Sequence, residues 1–246
     1  MIVGLLGLAG VGKDTVADFM VKNHGFVKVA IADPLKRICK DVFDFSDEQL
    51  WGPSEMRNAP DPRYVRMAKG ALGTTITDWN EELQTMNTKP SPEEDIYLTP
   101  RYALQQLGSE WGRSCHKDIW GTYCLRVAQK ILYQSGILRS VHYHYDQKEG
   151  LIVTNVPLGE KPKGVVISDV RFVNEVNNIQ KAGGKVVKIV RPKAGLTGEA
   201  GQHISETEQA EIPDEVFDHH LINKANDLSL LEAAVAGLVE ALQQAN

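Results

Sequence analysis

Short apolar runs alternate along the chain with stretches whose apolar residues recur at helical spacing. Ile2–Leu6 is one such run, as expected of a strand covered on both faces. Val16, Phe19 and Met20 then repeat at three- and four-residue spacing, which predicts a helix. A second strand is predicted over 26–31. Asp33 follows as an N-cap and Pro34 as the first residue of a helix with Leu35, Ile38 and Val42 inward. Thr99-Pro100 forms the same pair and opens a helix through "RYALQQLG". Asp118 caps another, with Trp120, Cys124, Val127 and Ile131 inward. "GVVIS" and "KVVKIV" are strands flanking the helix "FVNEVNNIQKAGG", which stops at Gly183-Gly184. "HHLIN" is a last short strand. Leu228, Leu231, Val235, Leu238 and Leu242 mark a C-terminal helix that covers a sheet.

Strands alternating with helices predict one three-layer α/β/α domain over residues 1–246, with a mainly parallel sheet. The pattern breaks over 45–98, where proline and charge accumulate; this predicts an insertion with short helices near a substrate. Residues 137–163 alternate around a Lys-Glu-Gly turn, as a hairpin insertion does. The glycine-spaced stretch within 192–213 predicts a lid-like loop.

Composition narrows the function classes. The 246 residues are 42% hydrophobic and 24% charged, with a formal net charge of −5, so a general nucleic-acid binder is not expected. Cys39, Cys115 and Cys124 lie far apart without C-x-x-C spacing, as small buried thiols in a reducing compartment would. No apolar run is long enough to span a bilayer, and the start lacks a basic region before its apolar stretch. The expectation is a cytoplasmic protein acting on small molecules, with a homodimer left open.

The chemistry concentrates in "GLAGVGKDT", residues 7–15. Gly7, Gly12 and Lys13 match G-x-x-x-x-G-K-[ST] between a strand and a helix. That context lets the amides around Gly10, Val11, Gly12 and Thr15 hold phosphate oxygens. Asp14 stands where a hydroxyl is usual. It caps the helix, or it helps hold Mg²⁺ directly or through water.

Phosphoryl transfer needs positioning and charge neutralisation. Asp169 ends an apolar strand, where it orders Mg²⁺ or caps the next helix. Arg171 either reaches a phosphate or pairs with Glu175. Arg101 opens a helix after the insertion and is a candidate for the acceptor phosphate, against a solvated arginine. Arg113 is weighed against a structural ion pair, and Lys36 and Arg37 against a solvated helix face. Arg191 opens the lid-like segment or packs structurally. His142 and His144 lack further ligands at metal spacing and read as hairpin histidines. His203, Ser205 and Glu206 read as loop hydrogen bonding. Trp51, Trp79, Trp111 and Trp120 are packing residues, of which the first three could also stack on a base.

The segments "GLAGVGKDTVADF", "ADPLK", "YALQQLGSEWGR", "ISDVRFVNEV", "VVKIVRP", "HISE" and "LINKANDLSLLE" together resemble the bacteriophage deoxynucleoside monophosphate kinases, relatives of the P-loop nucleoside monophosphate and dephospho-coenzyme A kinases. In that family G-K-D-T is a usual form of the loop. The resemblance implies a P-loop fold and Mg²⁺-dependent transfer of the ATP γ-phosphate to a deoxynucleoside 5′-monophosphate. It implies that Lys13 and the amides around Gly10–Thr15 hold the donor phosphates. Asp33, Lys36, Arg101 and Arg171 match acceptor-side segments, Arg191 begins the lid, and Asn223 lies near the donor base. Another P-loop kinase, or a nucleotide-binding protein without an acceptor, remains the alternative.

Overall fold

The computed structural model describes residues 1–65, 97–133, 142–154, 161–192, 209, 212–224 and 227–244. Contacts divide the chain into two compact units. The first comprises Met1–Pro34, Gly112–His144 and Ile152–Asn246, and the second Leu35–Trp111 and Tyr145–Leu151.

The first unit is built on a five-stranded sheet in the order β2-β7-β1-β8-β9. The strands are β1 (Ile2–Leu6), β2 (Phe26–Val29), β7 (Gly164–Val170), β8 (Lys185–Val190) and β9 (His219–Ile222). All four pairings are parallel, with Val3 opposite Val166 on one side and Lys185 on the other. Such strands are covered on both faces, which is why Ile2–Leu6 is buried throughout.

Helices α1 (Lys13–His24) and α8 (Leu228–Gln244) cover one face, through Val16, Ala17 and Met20 and through Leu231, Val235, Leu238 and Leu242. Helices α6 (Ile119–Tyr133) and α7 (Val173–Lys181) cover the other, through Cys124, Ala128, Ile131, Val176 and Ile179. The α/β fold is therefore three-layered with a parallel sheet, as the alternation predicts. Leu228 is a correction: it is 63% exposed, as the whole first turn of α8 is exposed and burial begins at Leu231.

In the second unit lie α3 (Asp47–Trp51), α4 (Ser54–Asn58), β3 (Asp61–Val65), β4 (Tyr97–Leu98) and α5 (Pro100–Gln105). Helix α2 (Asp33–Phe43) begins in the first unit and continues into the second. Of the stretch 45–98, residues 45–65 hold α3, α4 and β3 and residues 97–98 hold β4, and residues 66–96 lie outside the described residues. Ser46 and Gln49 form a reciprocal capping box for α3. Thr99 caps α5 by accepting from Tyr102 N at 3.1 Å, with Pro100 in the first turn. Instead of continuing as an α-helix, the chain then widens into a π-helix over Gln106–Arg113.

Cys39, Phe45, Leu50 and Ala103 form the second unit's core. Ile38 and Val42, expected inward, are 38% and 66% exposed, because that face of α2 lines an open groove while Cys39 turns into the core. The hairpin is found as β5 (His142–Asp146) and β6 (Gly150–Thr154), its turn closed by Lys148 N and Glu149 N donating to Asp146 Oδ1.

Candidate active site

A parallel sheet brings all its strand ends to one edge, and each strand here delivers a candidate residue there. β1 runs into the glycine loop, β2 toward Asp33, β7 through Asp169 to Arg171, β8 to Arg191 and β9 to Asn223.

Two loop glycines are required, one by space and one by backbone conformation. A Cβ on Gly7 would meet the Ile189 carbonyl at 2.4 Å, so only glycine lets the chain leave the sheet beside β8. Gly12 has φ +96° and precedes α1; a Cβ there would lie 2.9 Å from Asn223 Nδ2. Val11 is buried and anchors the loop in the core, whereas Gly10 is exposed. Lys13 Nζ donates to the Gly7 and Leu8 carbonyls at 2.5 and 3.0 Å. Thr15 is half-buried on the first turn of α1. Asn223 is 4% exposed and donates from Nδ2 to Val11 O at 2.9 Å, while its main-chain N–H donates to Val190 O. It braces the loop from behind.

Asp169 accepts from Ile31 N through Oδ1 at 2.6 Å and from Ala32 N through Oδ2 at 2.9 Å. It thereby ties β7 to the β2–α2 connection, where Asp33 is buried. Arg171 N and Phe172 N donate to Glu175 Oε2 at 2.8 and 3.1 Å. Burial pushes the Glu175 carboxyl up to about 7, against the two main-chain donors and with Asp169 adding to the rise. Arg113 lies with its guanidinium 3.5 Å from the Phe172 ring centroid, a cation–π contact, and its charge opposes the rise at Glu175. Burial also raises the Cys124 thiol, and Asp169, Asp33 and Glu175 raise it further. Cys39 is buried and raised to about 11. Cys115 is a correction: it is exposed, in the helical residues that directly follow the π-helix.

Sequence reasoning missed Lys28. It stands in β2 with a side chain 6% exposed, and its ammonium lies 2.9 Å from Asp14 Oδ1 and 3.0 Å from Asp18 Oδ1. Burial pulls its pKa down, but the two carboxylates outweigh burial and leave it raised. The available signal was a lone charge inside the apolar run "FVKVAI". Glu175 was considered only as a partner for the Arg171 side chain; its main-chain role was legible as a carboxylate three residues past Phe172.

Lys36 and Arg101 belong to the second unit. Lys36 Nζ sits 5.6 Å over the Trp51 ring, and Arg101 Nε donates to Asn58 Oδ1. A groove of about 780 Å³ in this unit is walled by Ile38, Val42, Leu98, Tyr102 and Leu107 and rimmed by Trp111. His203, Ser205, Glu206 and Trp79 lie outside the described residues, as do the side chains of His142 and His144.

Among the described residues no group of three His, Cys, Asp or Glu could hold a metal, and no helix is long and apolar enough to cross a membrane. Asp14 is paired with Lys28, and both Asp169 oxygens accept from main chain. This donor set is no metal cage. It fits a Mg²⁺ that arrives on substrate phosphates and keeps most of its waters.

Fold and loop together define an α/β protein with a glycine-rich strand-to-helix connection after its central strand. Comparison with known proteins found similarities. The chain is 29% identical over 223 residues to a protein of Acanthamoeba polyphaga mimivirus named "Putative deoxynucleotide monophosphate kinase", covering 91% of this chain and 88% of that one. A dephospho-CoA kinase from Campylobacter jejuni matches in structure with 16% identity and a TM-score of 0.37, over 98% of this chain and 96% of that chain. TT1252 from Thermus thermophilus matches with 15% identity and a TM-score of 0.39, over 98% and 97%. No protein-family model matches.

Proposed function

We propose that the protein is a P-loop kinase that moves the γ-phosphate of ATP to a deoxynucleoside 5′-monophosphate. The observation that carries this reading is the glycine loop with Lys13, set at the edge where all five parallel strands end. The name borne by the mimivirus protein supports the choice of acceptor.

An acceptor phosphate oxygen attacks the γ-phosphorus, the bond from that phosphorus to the bridging β–γ oxygen breaks, and ADP leaves. The amides of Gly10 to Thr15 bind the donor phosphates, helped by the positive end of α1. Lys13 leaves the Gly7 and Leu8 carbonyls and follows the charge on the transferring group. Arg171, held by its main-chain bond to Glu175, neutralises phosphate charge on the β7 side, and Arg191 does so from the end of β8. Asn223 holds the loop in shape from behind. Asp33 and Arg113 serve the acceptor side, with Arg113 oriented by its stack on Phe172. Mg²⁺ bound to ATP would spread charge over the phosphates, with Asp169 reaching it through water.

The test is ADP release from ATP and Mg²⁺ across ribo- and deoxynucleoside monophosphates and dephospho-coenzyme A. A deoxynucleoside monophosphate should give the highest kcat/KM. Lys13→Met should melt as the wild type does and lose about 10²-fold or more in kcat. Preference for dephospho-coenzyme A, or ATP binding with no acceptor turned over, contradicts the reading.

A further inference from the structure

An aspartate directly after the loop lysine is electrostatically awkward. The N-terminus of α1 is the positive pole a polyphosphate would use, and Asp14 puts a carboxylate on its first turn. That side chain is 79% exposed, so it is not hidden from a ligand by burial. A neutral hydroxyl at this position would compete with nothing.

Lys28 answers the difficulty. Position 28 is in an edge strand whose neighbours Phe26 and Val29 are core residues, yet it holds an ammonium with almost no solvent contact. A buried cation persists only with partners, and those of Lys28 are Asp14 and Asp18, four residues apart on one face of α1. The pair therefore points the Asp14 carboxylate toward β2. It also sets one positive charge against the carboxylate nearest the loop.

We propose that Lys28 is a positioning residue of the phosphate loop: it neutralises Asp14 and holds its carboxylate toward β2, so that a triphosphate can occupy the head of α1. The inference rests on the nucleotide reading above. It makes the Lys-Asp sequence at 13–14 workable through a residue fourteen positions downstream of the aspartate.

Calorimetric titration with ATP, in Mg²⁺ and in EDTA, tests it on the full chain. Lys28→Met should weaken ATP binding at least tenfold, and Lys28→Arg should stay within threefold of wild type. Asp14→Asn should bind within threefold in both buffers. The double variant should also bind within threefold of Asp14→Asn, because the charge needing an opponent is gone. A purely structural lysine would lower the melting temperature and leave this coupling absent. The inference is overturned if Lys28→Met binds ATP normally, or if its loss is undiminished in the Asp14→Asn background. Should Lys28→Met give no cooperative melt, Asp14→Asn decides alone: a tenfold loss confined to Mg²⁺ makes Asp14 a metal ligand and ends the proposal. Wild type that ignores ATP overturns the nucleotide reading and this inference with it, whereas normal wild-type binding with an unaffected Lys28→Met overturns this inference only.

Discussion

Glu175 is a carboxylic acid enclosed by protein, and its position has a measurable consequence. Its pKa in the folded chain is about 7 against an ordinary 4.5. Between those values the folded state holds a proton that the unfolded state releases, so stability is highest below the window and falls as pH rises through it. Glu175→Gln keeps an acceptor for Arg171 N and Phe172 N and removes the titration. Denaturant unfolding at about pH 5 and about pH 7.5 should show wild type losing stability relative to the variant, on the order of 2–3 kcal/mol. Parallel pH profiles would contradict the assignment. The sequence made Gly7, Gly12 and Lys13 legible because their spacing alone encodes the loop. Lys28 was not legible in the same way. A single polar residue in a strand normally faces solvent, and only the fold shows that α1 presents Asp14 and Asp18 to it.

Elements were legible where one face is buried and hidden where packing decides. Leu231, Val235, Leu238 and Leu242 of α8 are buried as their spacing predicts, but Leu228 shares the spacing and not the burial, since it sits in an exposed first turn. Leu238→Ala should therefore cost about 2–5 kcal/mol of stability, as buried leucine truncations do, and Leu228→Ala less than about 0.5 kcal/mol. Equal losses in chemical unfolding would contradict the packing of α8. Ile38 and Val42 failed in the same manner: helical spacing identifies an apolar face without saying whether a core or a groove meets it. The π-helix after α5 had no periodicity signal, because the stretch also fits an ordinary helix.

At the scale of the molecule, parallel pairing does the organising. It sends five strand ends to one edge and so gathers residues from 7 to 223 that are remote in sequence. Strand order β2-β7-β1-β8-β9 could not be read from the chain, because apolar runs carry no information about which neighbour they choose. Lys36 and Arg101 fall in the second unit with contacts of their own, to Trp51 and to Asn58. The most direct measurement is a crystal structure with a non-hydrolysable ATP analogue and Mg²⁺. Phosphate oxygens should be found on the amides of Gly10 to Thr15, with Lys13 Nζ turned from the Gly7 and Leu8 carbonyls onto the β- and γ-phosphates. An analogue bound elsewhere, with Lys13 still on those carbonyls, would contradict the central claim.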